Sequence, residues 1–245
     1  MDYNKYEFSK KEKIQFLLEV LGATALVAYL FYQSFFALIL GIPLGILLYK
    51  NKKEKLKRAR KKRLNEQFKD GILAVATALK VGYSIENAFV EAVRDLKLTY
   101  PKDADIVQEF TMINMQVKNN VVLEKLLLDF AERSHVDDIH DFAQVFVIAK
   151  RRGGDLSKII KNTADIISEK QEVYREIDTI LTAKQFEQQI MSVVPLLIIL
   201  YVSLTSPHFL DTLYHNFFGC FIMTGCLAVY IVAVYLARKI TTIEI

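Results

Sequence analysis

The sequence lacks the motifs by which enzymes commonly hold a nucleotide, a metal ion or a nucleophile. It has no Gly-rich loop followed by Lys-Ser or Lys-Thr, no paired-cysteine pattern and no Gly-x-Ser-x-Gly turn. Its two cysteines, Cys220 and Cys226, lie in one apolar stretch, where a helix separates them by about 240° and prevents a disulfide. We therefore expect no catalytic residue, no metal site and no cofactor.

Charge is nearly absent from two long stretches. Residues 14–49 contain one charged side chain, Glu19, and residues 185–237 contain two, Glu187 and Asp211. Because a membrane-spanning helix needs about 20 residues, each stretch is long enough for two spans. The sequence therefore predicts a transmembrane hairpin near each end of the chain.

The breaks within these stretches, at Gln33-Ser34 and Ser206-Pro207-His208, give four predicted spans: Ile14 to Tyr32, Phe35 to Tyr49, Ile190 to Thr205 and Phe217 to Ala237. The second and third reach only about 22–24 Å at the rise of an α-helix. Snorkelling lysines or helices that continue beyond the apolar residues make up the difference. A shallow re-entrant hairpin is the alternative.

A basic run follows the first apolar stretch. Lys50 to Arg63 contains ten Lys or Arg residues and one acidic residue, Glu54. Such a cluster beside a span marks the cytoplasmic side, so we expect both termini and the polar middle to be cytoplasmic. With no small-residue cleavage site after the first apolar segment, the chain is expected to stay in the membrane.

The basic run is also expected to contact membrane lipids, because Lys and Arg near the surface attract anionic headgroups. Nucleic acid is not an expected partner, since no aromatic residues are interleaved with the cations. The expected membrane-surface residues are Lys52, Lys53, Lys55, Lys57, Arg58, Arg60, Lys61, Lys62 and Arg63.

The polar middle has the pattern of amphipathic helices. One stripe runs through Leu64, Phe68, Ile72, Val75 and Leu79, and a second through Ile85, Ala88, Phe89, Ala92, Val93 and Leu96. Further helices are predicted from about Pro101 to Val117, from Val122 to Ser134, from Asp137 to Arg152 and from Asp155 onward. With no proline before Pro195, the last of these is expected to continue into the third span.

The turns between these helices repeat a pattern of Gly, any residue, helix cap, apolar residue, two of any kind and two apolar residues. It occurs at Gly82 to Phe89 and Gly153 to Ile160, and Asn120 to Leu127 fits it with Asn in place of Gly. Asn is the residue next best suited to a left-handed turn. The residues expected to set the turns and the last helix are Gly82, Ser84, Ala88, Asn120, Gly153, Gly154, Asp155, Leu156 and Pro195.

The predicted fold is therefore an all-α membrane protein, with a cytoplasmic six-helix bundle of three repeated helical hairpins between two transmembrane hairpins. The predicted parts are an N-terminal tail at 1–13, a first hairpin at 14–49, a basic juxtamembrane segment at 50–63, a helical domain at 64–187, a second hairpin at 188–237 and a C-terminal tail at 238–245.

Three motifs in this order resemble one family. They are the stretch from Leu79 to Phe89, the stretch from Arg151 to Leu156, and Leu181 to Lys184 leading to Val194-Pro195-Leu196. Together they look like the type II secretion system F domain family, over about Leu64 to Pro207. A single F domain between two hairpins is most similar to the tight-adherence pilus subgroup.

The resemblance implies a non-enzymatic platform protein of the inner membrane. Its implied partners are a cytoplasmic hexameric secretion ATPase and pilin-like subunits that leave the membrane. Because the double-domain architecture of other members is absent, it also implies a second F-type subunit or self-association.

Two rival functions follow from the membrane pattern. A transporter or channel would need polar groups along a midplane path, and apart from Glu19 the predicted spans offer only Thr24, Ser192, Ser203 and Thr224. A membrane signalling subunit is supported by the architecture alone.

Overall fold

The computed structural model describes residues 3–4, 10–32, 41–152, 155–206 and 217–241. Every regular element in this part of the chain is an α-helix, which confirms the predicted all-α class. The eight helices are α1 (Lys10–Tyr32), α2 (Gly41–Val81), α3 (Ile85–Thr99), α4 (Asp105–Lys118), α5 (Leu123–Ser134), α6 (Asp137–Arg152), α7 (Leu156–Thr205) and α8 (Phe217–Thr241).

The chain divides into two compact units. The first, here the helical body, contains the described residues of Met1–Glu7 and Lys53–Val173. The second, here the apolar unit, contains those of Phe8–Lys52 and Tyr174–Ile245. The helical body thus starts within the basic run and includes the N-terminal Tyr3, which the sequence assigned to a separate tail.

The helical body is organised by the amphipathic stripes that the sequence predicts. All six predicted residues of the α3 stripe are buried, and so are Leu64, Phe68, Ile72 and Val75 of α2. Phe68 lies at the centre, with its ring centroid 5.3 Å from that of Phe142, 6.1 Å from Phe130 and 6.5 Å from Phe110. One aromatic side chain of α2 therefore joins α4, α5 and α6 in a single core.

Helix α2 is longer than the sequence suggested. It is one helix from Gly41 to Val81, so the apolar start, the basic run and the amphipathic stripe belong to the same continuous helix. Lys and Arg are good helix formers, and the basic run contains neither Gly nor Pro to interrupt the helix. Consequently Arg60 lies one turn before the buried Leu64 and on the same face.

Gly71 of α2 permits close packing in this core. A Cβ atom at Gly71 would lie 2.9 Å from Cε2 and 3.0 Å from Cζ of Phe110, and 3.5 Å from Cδ1 of Leu96. Two of these distances are shorter than ordinary carbon contacts. Glycine thus lets α2 approach the Phe110 ring more closely than any other residue would.

We expect Gly71→Ala to lower the free energy of unfolding by about 1–3 kcal/mol, because the added methyl group overpacks the core. Thermal unfolding of the full chain in detergent, followed by circular dichroism, measures the loss. Gly225→Ala is the matched control, since a Cβ there meets no atom within 4 Å. Equal melting temperatures for the two variants would contradict the assigned packing.

The apolar unit has its own small cluster. Leu30 and Phe31 of α1 pack with Met223 and Leu227 of α8, and Leu196, Ile199 and Leu200 of α7 lie against them. The Tyr32 hydroxyl and Thr224 Oγ1 are 3.0 Å apart and share a hydrogen bond. These contacts bring α1, the second half of α7 and α8 together.

Three described helices are long and apolar enough to cross a membrane: Glu12–Tyr32, Leu156–Thr205, whose apolar part is its second half, and Phe218–Thr241. They correspond to the first, third and fourth predicted spans. The predicted second span, Phe35 to Tyr49, lies partly outside the described residues, and its described part forms the start of α2.

Helices α1 and α2 meet within the apolar unit. A Cβ atom at Gly45 would lie 3.2 Å from Cγ1 of Val20, so Gly45 allows a close approach of the two helices. One turn further along α2, the Phe16 and Tyr49 rings make an edge contact at 5.7 Å. Small residues have this role at many membrane helix contacts.

Helix α7 is unbroken from Leu156 to Thr205. The prediction that the last helix of the polar middle continues into an apolar span is therefore confirmed. The stretch from Asp178 to Ile190, where a loop would have separated the two, is helical throughout.

Candidate interaction surface

The turn between α2 and α3 is a helix-ending motif built around Gly82. The Tyr83 N–H donates to the Ala78 carbonyl at 3.2 Å, and the Gly82 N–H donates to the Leu79 carbonyl at 3.0 Å. These two hydrogen bonds define a Schellman motif, whose C′ residue has a positive φ. Gly82 has a φ of 101°, which glycine adopts without steric cost.

The turn between α4 and α5 repeats this geometry with asparagine. The Val121 N–H donates to the Gln116 carbonyl at 3.1 Å, and the Asn120 N–H donates to the Val117 carbonyl at 2.9 Å. Asn120 has a φ of 62° and takes the place that Gly82 has in the first turn. The departure from glycine at this position therefore leaves the turn type unchanged.

The helices after the turns begin as the repeat suggests. Ser84 Oγ accepts a hydrogen bond from the Asn87 N–H at 3.4 Å, and Asp155 Oδ1 accepts one from the Lys158 N–H at 3.1 Å. Ala88 is fully buried, and Leu156 packs against the core. Gly153 and Gly154, named for the third turn, lie outside the described residues.

These turns lie at one end of the helical body, here called the turn end. Lys150, in the last turn of α6, places its Nζ 3.0 Å from Glu124 Oε2 and 3.8 Å from Glu86 Oε1. Glu86 and Glu124 are in the first turns of α3 and α5. Lys150 therefore links the starts of two helices to the end of a third.

The surface of the turn end combines cations with exposed aliphatic side chains. Val81 is 73% exposed and Val122 is 59% exposed, and each lies beside one of the two turns. Five exposed cations form no ion pair or side-chain hydrogen bond with any described residue: Lys80, Lys118, Lys125, Arg151 and Arg152. The surface is thus basic, with an exposed valine side chain beside each of the two turns.

The opposite end of the helical body holds a buried charge cluster, formed by Tyr3, Glu109 and Arg133. Glu109 of α4 is 1% exposed and accepts two hydrogen bonds from Arg133 of α5, at 2.7 and 2.8 Å. The Tyr3 hydroxyl donates to the same carboxylate at 3.0 Å, and the Tyr3 N–H donates to the Arg133 carbonyl at 3.2 Å. Tyr3 is 1% exposed, so the N-terminal segment is anchored in the body at this residue.

Arg60 differs from the rest of the basic run. Its guanidinium donates to both carboxylate oxygens of Asp105, at 3.0 and 2.6 Å, and lies 4.7 Å from the Tyr3 ring centroid. This is a bidentate ion pair at the start of α4 together with a cation–π contact. Arg60 therefore stabilises the fold, in addition to any topological role.

Lys52 also has a specific partner. Its Nζ lies 2.5 Å from Glu19 Oε2 and 5.4 Å from the Phe16 ring centroid. Glu19, the one acidic residue of the first apolar stretch, is thus half-exposed and paired. Of the other predicted membrane-surface residues, Lys57 and Lys61 are half-buried, and the exposed ones are Lys53, Lys55, Arg58, Lys62 and Arg63.

The buried charge cluster changes the acidity of its members. Burial, together with the negative charge of Glu109, raises the pKa of Tyr3 well above its ordinary value. The hydrogen bonds to Glu109 raise the pKa of Arg133, against the opposing effect of burial. Tyr3 therefore stays neutral and Arg133 stays charged throughout the physiological pH range.

A second tyrosine belongs to the same end of the body. The Tyr100 hydroxyl donates to Asp70 Oδ2 at 2.5 Å, and burial, with this hydrogen bond, raises the pKa of Tyr100 to about 12. The pKa of Tyr100 is thus higher in the folded state than in the unfolded state. Its contribution to the free energy of unfolding is therefore complete below the unfolded pKa of about 10 and is lost as the pH rises from there through about 12. At neutral pH it is fully present.

Pro195 lies inside α7 and not at a helix end. Because proline has no N–H, the carbonyl of Met191 loses its helical donor. Nearby, the Tyr230 hydroxyl of α8 donates to the Ser192 carbonyl at 2.7 Å. Such side-chain donors help a membrane helix to accommodate proline.

Several residues of these sites were not found from the sequence. Glu109 lies next to Phe110 on the predicted apolar face of α4, and an acidic residue at such a position signals a buried partner. Gly71 interrupts the apolar stripe of α2, which indicates that another helix packs closely against α2 at this position. Tyr3 had no comparable signal, because its partners are more than 100 positions away in the sequence.

The fold and these surfaces define an all-helical membrane protein with a large polar body. Among the residues that the structure describes, no group of three or more His, Cys, Asp or Glu side chains is placed to hold a metal ion. The family model described as Type II secretion system (T2SS), protein F matches residues 58–204. Because this match covers more than half of the chain, the protein belongs to that family.

Members of this family are generally non-enzymatic platform proteins that work with secretion ATPases. The matched range includes the helical body from Arg58 onward and almost all of α7. No curated protein and no solved structure gives a match to this chain.

Proposed function

We propose that this protein is an inner-membrane platform of a type II secretion, type IV pilus or tight-adherence pilus machine. In this role it couples a cytoplasmic hexameric secretion ATPase to the export or assembly of pilin-like subunits. The observation that carries the proposal is the family match over residues 58–204, which runs from the helical body along α7 to the end of an apolar helix. Coupling of this kind needs a polar body joined to membrane helices, and it needs no catalytic site.

The proposed topology has four spans, with both termini and the helical body in the cytoplasm. Tyr3 supports it, because Tyr3 is buried in the same unit as Lys53 and the residues that follow. If α1 crosses the membrane, the chain has to cross again before Lys53. The segment from Phe35 to Tyr49 is the apolar stretch available for the second crossing.

Within this topology, the helical body is proposed to be a bundle of three helical hairpins. The matching turns at Gly82 and Asn120 support this arrangement, because each reverses the chain between two helices of one core. The two membrane hairpins are proposed to be α1 with the start of α2, and the end of α7 with α8. The Gly45 contact and the packing of α7 against α8 support them.

The tight-adherence subgroup is proposed because a single F domain lies between two apolar regions. As the family resemblance implies, this chain is also proposed to pair with a second F-type subunit or with itself. The exposed cations of the basic run are proposed to contact anionic lipids at the cytoplasmic surface.

The test is to purify the full chain, with a C-terminal affinity tag, from membranes of its source cells and to identify the bound proteins. We expect a secretion ATPase and prepilin-like subunits to copurify, and deletion of the gene to abolish pili or secreted protein. The contrary result is a deletion strain that keeps its pili and secretion unchanged while the purified protein conducts solute in proteoliposomes. That pair of results would contradict the platform role and identify a transporter.

A further inference from the structure

We propose that the turn end of the helical body is a docking surface for an acidic surface of a partner protein. The inference rests on the proposed function, in which this partner is the secretion ATPase. The turn end carries the exposed cations of three helix ends and aliphatic side chains at the two described turns.

The cations of the turn end are available to a partner. Lys150 forms ion pairs with Glu86 and Glu124, the acidic residues in the first turns of α3 and α5. With these two carboxylates occupied, Lys118, Arg151 and the other three cations have no ion-pair partner among the described residues. A carboxylate-bearing surface would supply the missing charge.

Helix geometry explains only part of this charge. Four of the five, Lys80, Lys118, Arg151 and Arg152, lie in last turns, where a cation balances the negative end of the helix dipole. Lys125 lies in the first turn of α5, where the dipole disfavours a cation. The helix dipole therefore does not account for the position of Lys125.

The apolar side chains favour a protein as the occupant. Val81 and Val122 expose most of their surface next to the cations, and apolar contacts surrounded by polar groups are typical of protein interfaces. Binding to the phosphates of a nucleic acid gains nothing from aliphatic groups.

The experiment measures binding of the machine's purified ATPase to the full-length chain in detergent. Lys118→Glu combined with Arg151→Glu reverses two charges at the turn end. The matched control, Lys97→Glu with Lys102→Glu, reverses two exposed charges beside the α3–α4 turn at the opposite end. Urea-gradient pulse proteolysis establishes that both variants fold as the wild type does.

We expect the turn-end variant to bind the ATPase at least tenfold more weakly than the control, and to lose most of the salt dependence of binding. Equal binding by the two variants would overturn the docking surface and leave the platform function intact. If the wild-type chain binds no ATPase, the proposed function fails and the docking inference fails with it.

A cross-linking experiment identifies the protein bound at the turn end directly. The variant Val122→Cys, with Cys220→Ala and Cys226→Ala, places a single thiol at the turn end. A thiol–amine cross-linker is expected to join it to the ATPase. A product that contains two copies of this chain, and no ATPase, would show that the turn end is a self-association surface and overturn the inference.

Discussion

Arg133→Leu is expected to lower the free energy of unfolding of the helical body by about 3–5 kcal/mol, which is the usual cost of removing one partner of a buried ion pair. Glu109 is 1% exposed and would lose both hydrogen bonds from the guanidinium, while the hydrogen bond from the Tyr3 hydroxyl remains. Burial of the carboxylate without this guanidinium, more than the lost contact, causes the loss. Pulse proteolysis of the full chain across a urea gradient measures it.

Two further variants test the cause. Adding Glu109→Gln to Arg133→Leu removes the buried charge but keeps an acceptor for Tyr3, so we expect it to restore part of the stability. Arg94→Leu is the surface control, because the pair that Arg94 forms with Glu91 is largely exposed and is expected to contribute at most about 1 kcal/mol. A loss for Arg94→Leu as large as that for Arg133→Leu would contradict the role of burial.

Phe68→Ala is expected to have an effect of similar size, about 3–5 kcal/mol, because it removes a large side chain from a close-packed site. Phe68 is fully buried and its ring meets those of Phe110, Phe130 and Phe142. The cavity would therefore separate α2 from three helices at once. Domains are stable by only about 5–15 kcal/mol. A measurable fraction of this variant is therefore expected to be unfolded at the growth temperature of the source cells.

The same urea gradient measures this loss, with Leu98→Ala as the control. Leu98 lies in α3 of the same body and is 88% exposed, so its truncation is expected to change the stability by less than about 0.5 kcal/mol. Phe68→Leu should fall between the two, because leucine fills part of the space. A Phe68→Ala midpoint within error of the wild type would contradict the position of Phe68 at the centre of the core.

The helices of the body could be predicted because their signals are local. The α3 stripe and the cap at Ser84 each depend on residues within a few turns of one another, and both agree with the structure. The left-handed Asn120 is of the same kind, since its conformation is set by its own side chain and the adjacent helix end. These features need no knowledge of the rest of the chain.

The buried charge cluster could not be predicted because its partners are distant in sequence. Nothing near Tyr3 indicates Glu109 or Arg133, and the segment around Tyr3 reads as an ordinary polar tail. Arg60 was assigned with its neighbours to the membrane surface, because the basic run gave no sign that one of its members would face Asp105. Only the continuity of α2 through the run places Arg60 on the buried side.

The anchoring of Tyr3 has a consequence for how the protein is made. Tyr3 is synthesised before Glu109 and Arg133, so its binding site is complete only after α4 has packed against α5. In the proposed topology, α1 enters the membrane during that interval while Tyr3 remains without its partners. Completion of the helical body would then depend on a Tyr3 that was kept on the same side of the membrane as the body.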